Sequence, residues 1–408
     1  MLAHVIIVWA LFVPTFENLK DIVGFDIGLV IHRTIEVALL ILFFIGSTLK
    51  NKKLERRSNG QAYFLLFFVS TLLILISLLR SIEVVIIRDI YELHKPFYFF
   101  LIFWFGFISI QYHRKAIFNW LIVFILYNQF LIFLHTYEPT TSYEFLSLYS
   151  KADNIWASRA FGVFGNPYDF GIFASLVFGF GFFNLLSRPN LIMCVVCGVG
   201  LFMVVQADSK SAILITLCVL IVSAILVRPV YVMVLSLVGI PLLSIDPTWL
   251  LEVVLSPFVY AKGLLEIGSV IENSLEPGNR LHDAMTVIGL LDEGGISSII
   301  FGSGIMKSLY PFIEIGYFNT FLRYGFLGII LQFLILMIFV RSWLLLRFSI
   351  GNTFETAIIV VAAVIIFGNI FTVVVDQPRL SFLLVAPFGI LEGYVGLFKK
   401  VRRVNPVF

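Results

Sequence analysis

Five basic residues stand at or near the ends of long apolar runs: Arg159, Lys210, Arg280, Arg323 and Arg379. Their settings are Ser158 to Pro167, Asp208-Ser209-Lys210-Ser211, Gly278 to Asp283, Asn319 to Gly325 and Asp376-Gln377-Pro378-Arg379. A charge within a membrane span costs roughly 2.5–3.5 kcal/mol on insertion scales, so it should face a cavity or a partner. Four of the five sit by expected helix N-termini, where free N–H groups and the macrodipole favour anions. Together they describe a pocket suited to phosphate. The competing reading of each is local: a nearby carboxylate (Asp208 for Lys210, Asp376 for Arg379) or snorkelling to the interface.

Other polar residues accompany them. Arg280, His282 and Asp283 present three polar groups over the first turn of a helix starting near Asn279, whose apolar stripe is Leu281, Ala284, Met285, Ile288 and Leu291. Arg159 to Gly171 holds Gly162, Gly165, Asn166, Pro167, Asp169 and Gly171, and such a run cannot be regular helix. At membrane depth, irregular backbone is tolerated only beside protein or a water-filled cavity. Asn319 and Tyr324 flank Arg323.

The elements that must position these residues are membrane helices. The chain has 408 residues, 60% hydrophobic and 13% charged, against about 25% charged in a soluble domain. That excludes a soluble enzyme, a disordered chain and a nucleic-acid binder with a basic face. One span takes about 20 residues, and apolar runs occur near 2–16, 28–49, 61–79, 96–112, 116–134, 168–187, 190–206, 211–227, 230–245, 317–340, 355–375 and 382–398. The expectation is an all-α polytopic membrane protein of about twelve transmembrane helices, a single integral membrane domain over 1–408. The first run lacks a basic n-region and reads as a retained helix. Cys194-x-x-Cys197 lies mid-span without a second pair, so packing is its reading.

Fifteen of the 28 Lys and Arg residues fall in short connectors on one side of this arrangement, among them Lys50 to Arg57 and Lys399 to Arg403. Positive residues stay cytoplasmic, which places both termini inside. Two larger loops lie opposite, over 135–167 and 246–316. The second carries three basic and nine acidic residues, and short helices are expected in it. One, Thr248 to Glu272, has the spacing of a helix lying on the membrane surface.

These features resemble the O-antigen polymerase and ligase superfamily, in particular the Wzy-type polymerases. The likeness runs from 155 to 395: Arg159 with Gly162 and Gly165-Asn166-Pro167, the turn Ser209-Lys210-Ser211, Arg280 followed by Phe301-Gly302-Ser303-Gly304, and Phe318-Asn319 through Gly325 to Gly328. The turn departs from the family in carrying lysine where arginine is usual. Ligases commonly place a histidine before the asparagine that here is Asn319, and this chain has Phe318.

The resemblance implies a periplasmic-face glycosyltransferase of the bacterial inner membrane. A hydroxyl of one undecaprenyl-diphosphate-linked repeat unit attacks the anomeric carbon of a growing chain, and undecaprenyl diphosphate leaves. Arg159, Arg280 and Arg323 would hold the diphosphate, with Lys210, Arg379, Asn166, Asn319 and Tyr324 around the substrate. His282 and Asp283, with Asp169 behind them, are the candidate proton acceptors. Asp283 as a partner of Arg280 and Asp169 as a helix-end anion are the alternatives. The expected partners are the lipid-linked oligosaccharide, membrane lipid and a chain-length regulator. No cofactor, metal or nucleic acid is expected. A ligase moving glycan to lipid A core, and a lipid-linked glycan flippase or other transporter, are the competing functions.

Overall fold

A computed structural model describes residues 1–16, 27–50, 60–84, 86–150, 155–156, 159–230, 280–305, 316–351, 354–371 and 378–404. Among these residues every regular element is a helix. Those that matter here are α1 (Leu2–Phe12), α2 (Ile27–Lys50), α3 (Gly60–Arg80), α4 (His94–Tyr137), α5 (Pro167–Ser187), α6 (Leu191–Ala207), α7 (Lys210–Val227), α8 (Arg280–Glu293), α9 (Gly295–Phe301), α10 (Gly316–Ile350), α11 (Ile359–Phe371) and α12 (Pro378–Val404). Seven segments are long and apolar enough to cross a membrane: Gly28–Leu49, Gln61–Arg80, Ala116–Tyr137, Pro167–Ser187, Lys210–Val227, Gly316–Ile350 and Arg379–Leu397. Three shorter apolar helices, Leu2–Phe12, Leu191–Ala207 and Glu355–Ile370, accompany them. This is the architecture of an α-helical membrane protein.

Several expected spans take other forms. The run over 2–16 becomes α1, about 16 Å long at 1.5 Å per residue, half the thickness of a hydrocarbon core. It is a buried wedge, with Ala3, Ile6, Ile7, Ala10 and Leu11 packed in the core. The runs over 96–112 and 116–134 share α4, which breaks at His113 (φ −133°, ψ 28°). The run over 317–340 extends to Ile350 and breaks at Gly325 (φ 63°, ψ −160°). The run over 230–245 and the surface helix over 248–272 lie outside the described residues.

Contacts between neighbours set the direction of each helix. α5 and α7 run in parallel, Gly171 facing Ala212 and Gly179 facing Val219. α11 runs against α10: Tyr317 near the start of α10 donates to the Ile366 carbonyl, and Trp343 farther along donates to the Thr356 carbonyl. Arg347 donates to the carbonyl of Leu226 near the end of α7. The first turns of α5, α7 and α10 therefore share one end of the bundle, here called the upper end. α12 begins there too, because Arg379 donates to Val163 just ahead of α5.

The two halves of α4 run in opposite directions. Phe103 and Phe107 lie against Gly389 and Gly393, in step with α12. The second half returns upward, bringing the Asn128 side chain to Gly162 and to the Val163 N–H, 3.1 Å away. Small residues let α4 and α12 approach this closely, as is usual between helices in lipid.

The first large loop is part of the core. Leu146, Tyr149, Ala160, Phe161, Val163 and Phe164 are buried, and its described residues include a short helix, Tyr143–Ser147, and a 3-10 turn, Gly162–Phe164. Arg379, 1% exposed, fastens this turn: its Nη1 donates to the Val163 carbonyl and its Nη2 to the Val13 carbonyl, both at 2.6 Å. The Arg379 guanidinium thus ties the ends of α1 and α12 to the turn, a main-chain role beside the substrate-binding one expected for it; Asp376 lies outside the described residues.

Removing this latch should be measurable. Arg379→Met leaves two carbonyls without their charged donor and should destabilise the fold by about 3 kcal/mol, seen as a lower thermal midpoint in detergent. An unchanged midpoint would show that the latch is dispensable.

Candidate functional site

The upper end carries two groups of polar side chains. The first surrounds the Val163 turn. Asn166 caps α5, its Oδ1 accepting from the Asp169 N–H at 2.8 Å while its Nδ2 donates to the Asp169 carboxylate. Pro167 fills the first helical position. Asn166 and Asp169, expected around the substrate, thus bond each other at the helix start. Arg159 is half-buried, its guanidinium 4.9 Å from the ring centre of Tyr168. The next residue, Ala160, donates its N–H to the carbonyl of Gln206, so Arg159 lies near the turn that opens α7 at Lys210. Arg379 lies over the ring of Tyr149. Burial and the hydrogen bond with Tyr127 push the Tyr149 phenol above its usual pKa, keeping it a donor to the Phe12 carbonyl.

The second group lines a cavity of about 200 Å³ between α3, α4, α10 and α11. Its polar wall is Ser70, Glu92, Lys95, Asn319, Thr320, Arg323, Tyr324, Gln332 and Asn369. Arg323 is 7% exposed, and no described residue hydrogen-bonds or ion-pairs with its guanidinium. The Oδ1 of Asn319 and the Oε1 of Gln332 are buried without a hydrogen-bond partner among the described residues. Gln332 donates its Nε2 to the Thr320 hydroxyl at 2.9 Å. Lys95 Nζ stands 2.8 Å from Glu92 Oε2. Two cations face one carboxylate, so an anion would balance the charge, while the two unpartnered amide oxygens accept and would need a donor such as a hydroxyl. A second cavity, about 170 Å³ and lined by Phe105, Leu121, Phe173 and Phe382 among others, is almost wholly apolar and offers little to hold a charge. Among the described residues no group of three His, Cys, Asp or Glu side chains could hold a metal ion.

Backbone geometry presents Arg323 to this cavity. The helix breaks at Gly325, so Arg323 lies in a short segment above the 326–350 stretch and not one turn inside a continuous span. Gly302 (φ +81°) presses on the backbone of Arg323 and Tyr324, and Gly325 (φ +63°) presses on Ile300 and Gly302. Ser77 Oγ donates to the Arg323 carbonyl at 2.5 Å, and Ser303 donates its N–H to the Leu322 carbonyl at 2.8 Å. α8 and α9 cover this segment. Val287 and Leu291 pack on Leu322, with Phe318 and Phe321 beside them. The buried face of α8 thus contains Val287, while Met285 and Ile288 of the expected stripe are more than half exposed. Arg280, His282 and Asp283 fall in the first turn of α8, and their side chains lie outside the described residues.

Sequence reasoning missed several of these groups. Glu92 and Lys95 sit in a charged stretch that reads as a connector. His32 and Glu36, 0% and 1% exposed, lie inside α2. The His32 Nε2 is 3.2 Å from the Trp9 carbonyl, and its Nδ1 is 4.0 Å from Glu36. Arg379 is within electrostatic reach of both. Their spacing of one helical turn within an apolar run was a legible signal.

No protein-family model matches the chain, and no curated protein is similar to it. The arrangement of the site is therefore the basis for any functional reading.

The glycine contact that presents Arg323 is testable. Gly325→Ala puts a Cβ into Ile300 and Gly302 at a left-handed φ, which alone costs about 1–2 kcal/mol. The thermal midpoint should fall clearly, whereas Gly46→Ala, with open space around it, should stay within about 0.5 kcal/mol of the parent. Equal midpoints would remove the packing argument.

Proposed function

We propose that the protein is a polysaccharide polymerase of the Wzy type, a metal-independent transferase working on undecaprenyl-diphosphate-linked repeat units. In this reading about twelve helices embed the chain in the bacterial inner membrane, with both termini cytoplasmic. The upper end faces the periplasm, and the loops over 135–167 and 246–316 lie on that side. The observation that carries the reading is Arg323: a buried guanidinium lining a polar cavity, with no described residue hydrogen-bonded or ion-paired to it. Such a charge is costly until an anion joins it.

A diphosphate supplies that anion. Arg323 would hold it bidentately, as guanidinium groups do, with Lys95 and Asn319 completing the contact. Arg159 and Lys210 would steer the lipid carrier from the neighbouring group, and Arg280 would add a further cation from the covering helix. Charge develops on the diphosphate as the anomeric bond breaks, and donors already in place stabilise that change. The other members of the assembly would be membrane lipid, the lipid-linked acceptor and a chain-length regulator. Phe318 ahead of Asn319 favours polymerase over ligase.

Transport is the second reading, supported by His32, Glu36 and Glu392. All three are buried within helices α2 and α12, and intramembrane acids and imidazoles often mark ion pathways. Polymerisation is preferred because the cavity and its unpaired cation lie at the upper end.

Glycan gel profiling of a null strain complemented with Arg323→Ala separates these readings. Removing one charge-stabilising donor typically costs 100-fold or more in rate, so polymer ladders should collapse to single-repeat glycan at normal protein levels. Full-length ladders would sink the polymerase reading. Polymer stranded on its carrier would indicate a ligase instead.

A further inference from the structure

We propose that Glu92 is the group that takes the proton from the attacking hydroxyl. This rests on the transfer reaction proposed above and names a residue outside the arginine set. Among the described residues lining the cavity, Glu92 is the one carboxylate, and no imidazole is present. A hydroxyl that attacks the anomeric carbon must approach within about 3–3.5 Å of it. The proton acceptor must then share the space that holds the diphosphate. Glu92 is 2% exposed, so water does not compete freely for its oxygens.

The chain supplies this position through a change of helix type. A 3-10 turn, Tyr91–Leu93, feeds directly into α4 at His94. Lys95 follows one turn later and holds Glu92 Oε2 at 2.8 Å. Pro96 fits the first turn of a helix, where its missing N–H leaves no bond unmade. Glu92 and Lys95 are thus presented together on the wall facing Arg323.

The pair also suggests an order of events. A diphosphate entering beside Arg323 attracts the Lys95 ammonium, which turns from the carboxylate to the new anion. The Glu92 oxygen that Lys95 held then meets the acceptor hydroxyl. The hydroxyl oxygen then bonds to the anomeric carbon, and the bond from that carbon to the diphosphate breaks. The electron pair leaves with the diphosphate, and the proton goes to Glu92. The balance is closed when Glu92 releases the proton to the departing diphosphate or to water. A structural reading of the same pair, as a helix-start carboxylate bonded three residues along, predicts no dependence on substrate.

The test uses the full-length protein in nanodiscs, with lipid-linked repeat units extracted from the null strain. Polymer formation is compared with binding of farnesyl diphosphate, read as a thermal shift. Glu92→Gln should polymerise at least roughly 100-fold more slowly while its farnesyl diphosphate affinity stays within about threefold. Sodium formate added to Glu92→Ala should restore part of the rate by standing in for the lost carboxylate, and Glu92→Asp should keep more activity than Glu92→Gln. Wild-type polymerisation by Glu92→Gln, or no formate response from a folded Glu92→Ala, overturns the assignment. Arg323→Ala is run in parallel: normal polymerisation there would fell the underlying reading. Its failure beside an active Glu92→Gln would fell the Glu92 role alone.

Discussion

A guanidinium removed from water needs an opposite charge or a full set of acceptors, and the upper end is organised by that need. The two arginines buried among the described residues meet it differently. Arg379 finds main-chain carbonyls, with Val13 and Val163 each 2.6 Å from one of its terminal nitrogens. Its charge is delocalised over dipoles that the fold itself supplies, so it holds α1, α12 and the irregular turn together. Arg323 has a cavity where Arg379 has carbonyls. The same chemical group therefore acts as a fastener in one place and as an open valence in the other.

The difference originates in the backbone. An unbroken helix through Gly325 would carry Arg323 on a rigid cylinder and satisfy its carbonyl within the helix. The break releases that carbonyl to Ser77 and lets Gly302 close against it. Helices α8 and α9 then close over the segment, assisted by Arg80, which donates to Ser297 and Ser298 at 3.0 and 2.8 Å. Irregular backbone at membrane depth is viable only when covered by protein or facing a polar space. Here it has both.

Much of the frame was legible in the sequence, because apolar runs of span length have few alternatives in lipid. Arg323 stood out for the same reason, as a charge one turn inside an apolar run. What escaped notice depended on contacts between distant segments. Glycine is common in membrane helices, so nothing marked Gly325 as a break until Ile300 and Gly302 lay against it. The buried face of α8 was misread because Phe318 and Phe321 select it from the partner side. Glu92 and Lys95 were hidden by their company: in a stretch with Glu83, Arg88 and Asp89, they looked like ordinary connector charges. His32 and Glu36 were hidden in the opposite way, because the strong apolar average of α2 masks two polar residues on one face.

The two polar groups meet through the first turn of α4. Lys95 faces the Arg323 cavity, while Tyr98, three residues on and 2% exposed, turns toward Glu36 in α2. Glu36 in turn lies within electrostatic reach of Arg379. The same enclosure would matter for the proposed group transfer. A glycosyl donor activated by cations would be hydrolysed if water reached its anomeric carbon as readily as the acceptor does, and a covered site limits that reaction. Under the proposed transfer reaction, the cover over Arg323 and the burial of Glu92 would be two aspects of one requirement: charge stabilisation strong enough to release a diphosphate has to be built where water is scarce.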